Sequence, residues 1–422
     1  MFFADQLIRA ARVGALLLLL LPLGGVAWAN DWAQWRGPGR DGVSAETHLL
    51  QQWPAAGPRL LWSVDGVGEG FSQPSVTNEA IYVTGMADGN VGYCAAYNLA
   101  GVRKWRTAYG TEWTGGYRGT RSAPTVAAGR VYVTSATGEL VCLNAADGVI
   151  LWQQNVLTAF GAWNCNWGYT EAVLVDGAHV ICTPGGKTAM LAALDARSGA
   201  VVWTTPPIMS TPTTWERNAY CSPLLVTRGA TRLIVTATNN YIIGVDADSG
   251  VLRWQSAFHN SNGQVPVTPL YADGMLFVSA GDGAGSVMLQ LSADGTSVQE
   301  GWRQPRLDIH FANGVLRDGF VYATGHANGG KMACVELKTG VIRWEDNSVG
   351  KGSLSYADGR LYCYAENGTL ALAQPSPDAF KLISACKITL GSGNHWAHPA
   401  ISNGRLFLRH GDTLMAFKIA AE

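Results

Sequence analysis

The sequence predicts an all-β fold: an eight-bladed β-propeller of four-stranded antiparallel blades, closed by an N-terminal strand joining the C-terminal blade. Three observations lead there. First, a strand–turn–strand unit recurs. Ala193-Leu-Asp-Ala-Arg-Ser-Gly-Ala-Val-Val-Trp203 returns almost residue for residue as Gly244-Val-Asp-Ala-Asp-Ser-Gly-Val-Leu-Arg-Trp254, more loosely as Cys334 to Trp344 and Cys142 to Trp152, and in degenerate form as Ala95 to Trp105. Second, tryptophans fall at 62, 105, 152, 203, 254, 302 and 344, and a fixed period of 42 to 51 residues marks a repeat architecture. Third, the composition is that of strands and turns: 51 Gly and 16 Trp in 422 residues, with short β-branched runs such as Arg130-Val-Tyr-Val-Thr134 and no sustained helical period. In all but the degenerate unit an acid or Asn eight residues before the Trp can cap the turn, and the Gly supplies a positive φ without steric cost.

Taken in order, residues 1–29 read as a signal peptide. Arg9 and Arg12 give a positive start, Ala15 to Leu23 form an apolar run with six consecutive leucines, and Ala27-Trp28-Ala29 is a small-x-small cleavage site before Asn30. The run is too short to span a bilayer comfortably, and no second run follows. The mature protein is therefore expected to be periplasmic or secreted and monomeric, with no integral membrane segment. No Cys follows the apolar run, so a lipid-bearing N-terminus is not expected. Losing Arg9, Arg12 and Asp5 removes a net +1 and takes the charge from −1 to −2. With 14% charged residues in near-neutral balance, there is no electrostatic footprint for nucleic acid or an anionic membrane. Residues 30–57 include the Gly/Pro-rich Trp35-Arg-Gly-Pro-Gly-Arg-Asp-Gly-Val-Ser44 and are expected to form a wrapping segment.

The propeller is expected over 58–422. Leu60 to Val64 matches the last strand of a unit without the strands before it, and the final unit, His398 to Ile419, stops one strand short. Pairing the two ties the chain ends together and leaves few exposed sheet edges. The unit from Gly352 to Lys387 lacks the terminal Trp, and without it as a full blade the count falls to seven. First strands begin at Ser72-Gln-Pro74, Ser122-Ala-Pro124, Cys221-Ser-Pro223 and Val267-Thr-Pro269, and turns such as Asp176-Gly177 and Asp318-Gly319 favour tight hairpins. With the first strand lining the channel and the fourth outside, Trp62, Trp105, Trp152, Trp203, Trp254, Trp302 and Trp344 fall at blade-to-blade contacts, a structural docking role.

The Ala-x-Asp-x-x-Ser/Thr-Gly-x-x-x-Trp unit resembles the tryptophan-docking motif of the PQQ-repeat (quinoprotein-like) β-propellers, over roughly residues 58–420. Gln34 to Ser44 is similar to the N-terminal signature of exported bacterial members. The resemblance implies the propeller fold and two functional branches: quinone-dependent alcohol dehydrogenases, and non-enzymatic propellers such as the lipoprotein of the outer-membrane β-barrel assembly machinery. Fold alone does not choose between them.

The long connections between units should gather around the channel mouth. They carry Trp113, Tyr117, Arg118 and Arg121, then Trp163, Trp167, Tyr169 and Glu171, then Trp215, Arg217, Asn218 and Tyr220, and later His310 and Trp396. Aromatics, guanidiniums and amides converging on one mouth are the ingredients of a small-molecule or peptide site, though the same loops packed together would make a plain lid. A dehydrogenase of the family would hold PQQ over a Trp, often beside a disulfide between adjacent cysteines, with a calcium ion on carboxylate and amide oxygens and an Asp base. The chain has no adjacent Cys pair and no Cys-x-x-Cys-His, and nothing in their spacing singles out the calcium-competent Glu171, Asn218 and Asp308. No catalytic or metal residue is assigned, and PQQ and calcium attach only to the enzyme branch. His395-Trp-Ala-His398 enters a strand and reads as structural. Of eight cysteines, Cys142, Cys182, Cys334 and Cys363 read as small buried hydrophobes, whereas Cys165 and Cys221 sit beside the mouth and are expected to pair as a disulfide. The expected function is binding or scaffolding of an envelope protein or small ligand at the channel mouth. The alternatives are a PQQ-dependent alcohol dehydrogenase-like oxidoreductase and a carbohydrate-binding propeller, since Trp and Tyr rings stack well on sugars.

Overall fold

The computed structural model describes residues 31–421, so the expected signal peptide lies outside it. Eight four-stranded antiparallel sheets follow one another around a central axis. Seven are continuous in sequence, spanning 75–111, 125–155, 174–205, 224–257, 270–304, 315–346 and 352–387, so the unit without a terminal Trp is a full blade. The eighth joins Ala400–Ser402, Arg405–His410 and Thr413–Lys418 to the early strand Arg59–Val64, with Arg59 opposite Lys418 and Val64 opposite Leu414. A small hairpin, Met209–Thr211 with Thr214–Trp215, stands between the third and fourth blades, and the single helix among the described residues is one turn, Val156–Ala159.

The burial of each strand follows its place in the blade. In the second blade the third strand, Glu139–Asn144, is buried over its middle four residues, while the fourth, Ile150–Asn155, is largely exposed. Between the third and fourth strands of every blade the register slips, as at Cys142/Leu143, Ala193/Leu194 and Gly244/Val245, and in the first blade it slips twice. Such bulges sharpen the twist of the outer strand. The recurring tryptophans lie on these outer strands and reach the next blade. The indoles of Trp62, Trp105, Trp152, Trp302 and Trp344 donate to the carbonyls of Leu99, Ala145, Ala196, Leu337 and Ser376 at 2.8–3.2 Å. The apolar core is correspondingly divided into clusters shared by neighbouring blades, such as Tyr82 and Cys94 of the first against Val131 and Val141 of the second.

Residues 31–50 run across the channel. Trp32 exchanges backbone hydrogen bonds with Val76 of the first blade, and Val126 of the second donates to Ala33. Buried Arg40 donates to Ala172 O at 2.6 Å, and buried Arg36 donates to Asp41 O and Gly314 O. Beyond them Tyr356 of the seventh blade bonds Gly42 and Ser44, and Gly404 of the eighth donates to Glu46. A Cβ at Gly42 (φ +81°) would sit 2.7 Å from the Arg36 guanidinium, so only glycine allows this tight fold-back.

The expected Cys165–Cys221 disulfide is absent, and all eight cysteines are free thiols. The physical reason is orientation. Cys165 Sγ turns to the Asn218 carbonyl at 3.3 Å, and Cys221 Sγ turns to the Val267 carbonyl of the next connection at 3.5 Å.

Candidate functional site

Four successive connections, those into the third to sixth blades, carry a buried acid or amide that fastens the loop after that blade's second strand. Glu171 accepts from Thr183 N at 3.1 Å, Glu216 from Asn240 N at 3.0 Å and Asp308 from Ala327 N at 2.6 Å, while Asn260 donates to Gly281 O at 3.2 Å. These pins answer buried N–H and C=O groups that would otherwise be unpaired. They also hold the connections up around the channel mouth, where they enclose a cavity of about 560 Å³.

Trp35, on the segment that crosses the channel, forms the floor, donating to Thr268 Oγ1 at 2.9 Å and meeting His398 with ring centroids 4.5 Å apart. Trp396 is the hub of the wall: Phe71, Tyr117 and Phe311 surround it at centroid distances of 4.8–5.0 Å and angles of 49–60°. Tyr117 also approaches Trp167 (6.1 Å), and Phe311 continues into His310 and then His326 at 5.0 Å each. None of the lining residues lies in a strand.

The charged groups of the cavity already have partners within the protein. Lys351 sits over the Phe311 ring at 4.5 Å and pairs with Glu366 at 3.0 Å, and Asn262 donates to Asp282 at 2.9 Å. Arg121 donates to the carbonyls of Gly119 and Tyr117, and burial, eased by Glu112, lowers its pKa. Burial, with Lys351 adding to it, lowers the pKa of His310, and burial followed by the charge of Arg36 pushes that of His398 well down. Both imidazoles are thereby favoured as neutral rings. Tyr117 (φ +58°) and Tyr220 (φ +73°) hold left-handed backbone, which costs about 1–3 kcal/mol each and clusters at functional sites.

Of the residues singled out from sequence, Tyr117, Arg121, Trp167, Tyr220, His310 and Trp396 line the cavity. The others do not. Arg118 pairs with Glu69 at 2.7 Å in solvent, Trp163 and Trp215 meet on the rim at 5.0 Å, and Arg217 is exposed. Trp113 has its indole nitrogen buried beneath the mouth loops, and Tyr169 is enclosed by core. Glu171 and Asn218 belong to the pins: Asn218 Nδ2 donates to Thr183 O at 2.8 Å and to Glu171 at 3.3 Å. Burial raises the Glu171 pKa to about 8. Sequence reasoning missed the floor residue Trp35, the wall residues Phe71 and Phe311, and Asp282, His326 and Glu366. The last three share a readable position, directly after the second strand of their blades.

Glu171, Asn218 and Asp308 do not fit a calcium ion. The Glu171 and Asn218 oxygens and Asp308 Oδ1 already accept N–H groups, Asp308 Oδ2 is buried without a partner but belongs to a distant connection, and among the described residues no three acids, histidines or cysteines converge.

Comparison with known proteins gives relatives of one name. The chain is 27% identical over 230 residues to the outer membrane protein assembly factor BamB of Yersinia pestis, covering 53% of each chain. It is 23% identical over 301 residues to that of Shewanella oneidensis, covering 70% of this chain and 68% of the relative. The chain thus spans about half the length of the first of these and two thirds of the second. Among solved structures, the quinohemoprotein alcohol dehydrogenase of Comamonas testosteroni superposes with a TM-score of 0.66 at 14% identity, covering 93% of this chain and 81% of that one, a likeness of fold alone. The family described as outer membrane protein assembly factor BamB matches residues 21–214 and 187–348, and with the repeated blades described above this chain belongs to that family of PQQ-repeat propellers.

Proposed function

We propose that this protein is an exported binding propeller of the cell envelope, serving outer-membrane protein assembly, with the channel mouth as its binding face. In this reading the cavity takes a ligand and the aromatic rim around it meets a protein partner. The observation that carries it is the makeup of the cup: its charged groups already have partners within the protein, Lys351 with Glu366, Asp282 with Asn262 and Arg121 with backbone carbonyls, while its rings stay open to solvent, Tyr117 at 58% and Trp167 at 36% exposure. Monomeric proteins rarely leave clustered large rings uncovered unless something binds there. Paired charges suit recognition, whereas proton abstraction needs an unpaired base poised beside the reacting atom. The name shared by the relatives supports the assembly setting.

Photo-crosslinking from position 117 in cells tests this reading. The expected result is adducts with outer-membrane assembly proteins, lost in Trp396→Ala. A folded protein that gives no envelope adduct sinks the reading. Saturable, calcium-dependent quenching of Trp fluorescence by PQQ would favour the dehydrogenase instead.

A further inference from the structure

We infer that the ligand of the mouth cavity is a neutral, hydroxyl-rich ring compound, the end of an oligosaccharide. This rests on reading the mouth as a binding face and names the chemistry that the cavity selects.

The selection follows from what the wall already satisfies. A cationic ligand would look for ring faces and free carboxylates. The place over Phe311 is held by Lys351, Glu366 is paired with that same ammonium, and Asp282 is engaged by Asn262 with His310 Nε2 4.0 Å away. An anionic ligand would need free guanidinium or ammonium donors, but Arg121 is spent on backbone carbonyls and Lys351 on Glu366. An acyl chain would desolvate polar groups spread over the wall without pairing them, at about 1–3 kcal/mol for each group. A peptide bound by strand addition needs a sheet edge, and every lining residue comes from a loop.

The lining groups left without a hydrogen-bond partner include several that are uncharged. The Gln264 side-chain amide and the Thr170 hydroxyl make no hydrogen bond within the described protein, the His326 ring nitrogens make none, and His310 Nδ1 is buried without a partner. Opposite them stand the faces of Trp396, Phe71, Tyr117 and Phe311, inclined to one another rather than stacked in parallel. A pyranose ring has both surfaces that this arrangement requires. Its C–H face lies on an aromatic ring, and its equatorial hydroxyls both donate and accept, so they can meet amide, hydroxyl and imidazole alike. A volume of about 560 Å³ is in the range for a ligand larger than a single sugar.

The test is calorimetric titration of the mature protein with chitotriose, cellotriose and maltotriose, alongside Trp fluorescence. Saturable binding of at least one is expected. Trp396→Ala should weaken it about tenfold or more, Gln264→Ala should weaken it several-fold, and Val202→Ala, on an exposed outer strand, should leave it unaltered. Gln264→Ala matters because loss of Trp396 can disturb the loops, whereas the Gln264 side chain packs no core. Absence of binding by all three sugars to folded protein overturns the inference, as does undiminished binding in both Trp396→Ala and Gln264→Ala. If the sugars fail while adducts from position 117 persist, the glycan falls and the binding face stands. If the sugars bind and no adduct forms, the protein-assembly reading falls alone.

Discussion

The imidazole of His395 lies flat on that of His410, with ring centroids 3.6 Å apart and planes within 18° of parallel. His410 is set between the carbonyls of Leu390 and Gly393, and His395 Nδ1 meets the Tyr364 hydroxyl at 2.5 Å. Burial, then His410 and then Lys387 push the His395 pKa down to about 4. In the native state His395 is therefore neutral at pH values where an unfolded chain would already protonate it.

The sign of the pH effect follows. Between about pH 6.5 and about pH 4 the unfolded state binds more protons at this residue, so native stability falls as pH falls through that window. His395→Gln keeps a hydrogen-bonding side chain but does not titrate. Its Tm should decline less than that of the parent from pH 7 to pH 4, as read by circular dichroism. Equal slopes for the two proteins would exclude this role.

The Trp-to-Gly contact between blades should dominate local stability. Gly148 has φ +75°, and a Cβ there would lie 2.6 Å from the Trp105 ring, whereas Gly177, with φ +57°, has open space around it. Gly148→Ala combines left-handed strain with a clash and should cost about 2–4 kcal/mol, against about 1–2 kcal/mol for Gly177→Ala, in urea unfolding. Equal losses would show that backbone strain alone decides.

Glu171 should behave as a buried acid that is largely neutral near pH 7. Its pKa is raised to about 8 by burial, so the stability it contributes is full below the ordinary carboxylate range and is lost as pH rises through about 8. Glu171→Gln should gain on the parent in Tm between pH 6 and pH 9. Glu171→Ala should lose about 1–3 kcal/mol at neutral pH, because the Thr183 N–H is left unpaired.

The cysteines give a mass prediction. Denaturing alkylation without reductant should modify all eight thiols, and a Cys165–Cys221 bridge would leave two unmodified. In the native protein, six are buried and Cys165 has its pKa raised to about 11 by burial, so alkylation at neutral pH should be slow.

The blades were legible because each repeats one local grammar: a cap such as Asp195 or Asp246, a turn glycine, and an outer-strand tryptophan. The orphan strand at Leu60 betrayed the closure because its partners could be counted at the far end of the chain. The cavity was legible only in part. Trp396 and Arg121 are rare residue types in long connections and stand out, but Glu171 and Asn218 look equally chemical and are structural pins. Which side of a loop faces inward depends on contacts between connections far apart in sequence, such as Phe311 with Trp396. Trp35 was hidden for a stronger reason: its place is set by blades on several sides of the channel at once, and no local pattern carries that information.

The pairing of Arg59–Val64 with Thr413–Lys418 has a consequence for how the protein comes into being. A chain made from its N-terminus presents that strand early, yet the complementary strand arrives nearly last. Contacts this far apart in sequence form late and slowly. Throughout that interval Arg59–Val64 lacks its partner and another strand can occupy its edge. The molecule therefore reaches its native state in a final ring-closing event, and its yield depends on how long the waiting strand is kept from the wrong partner.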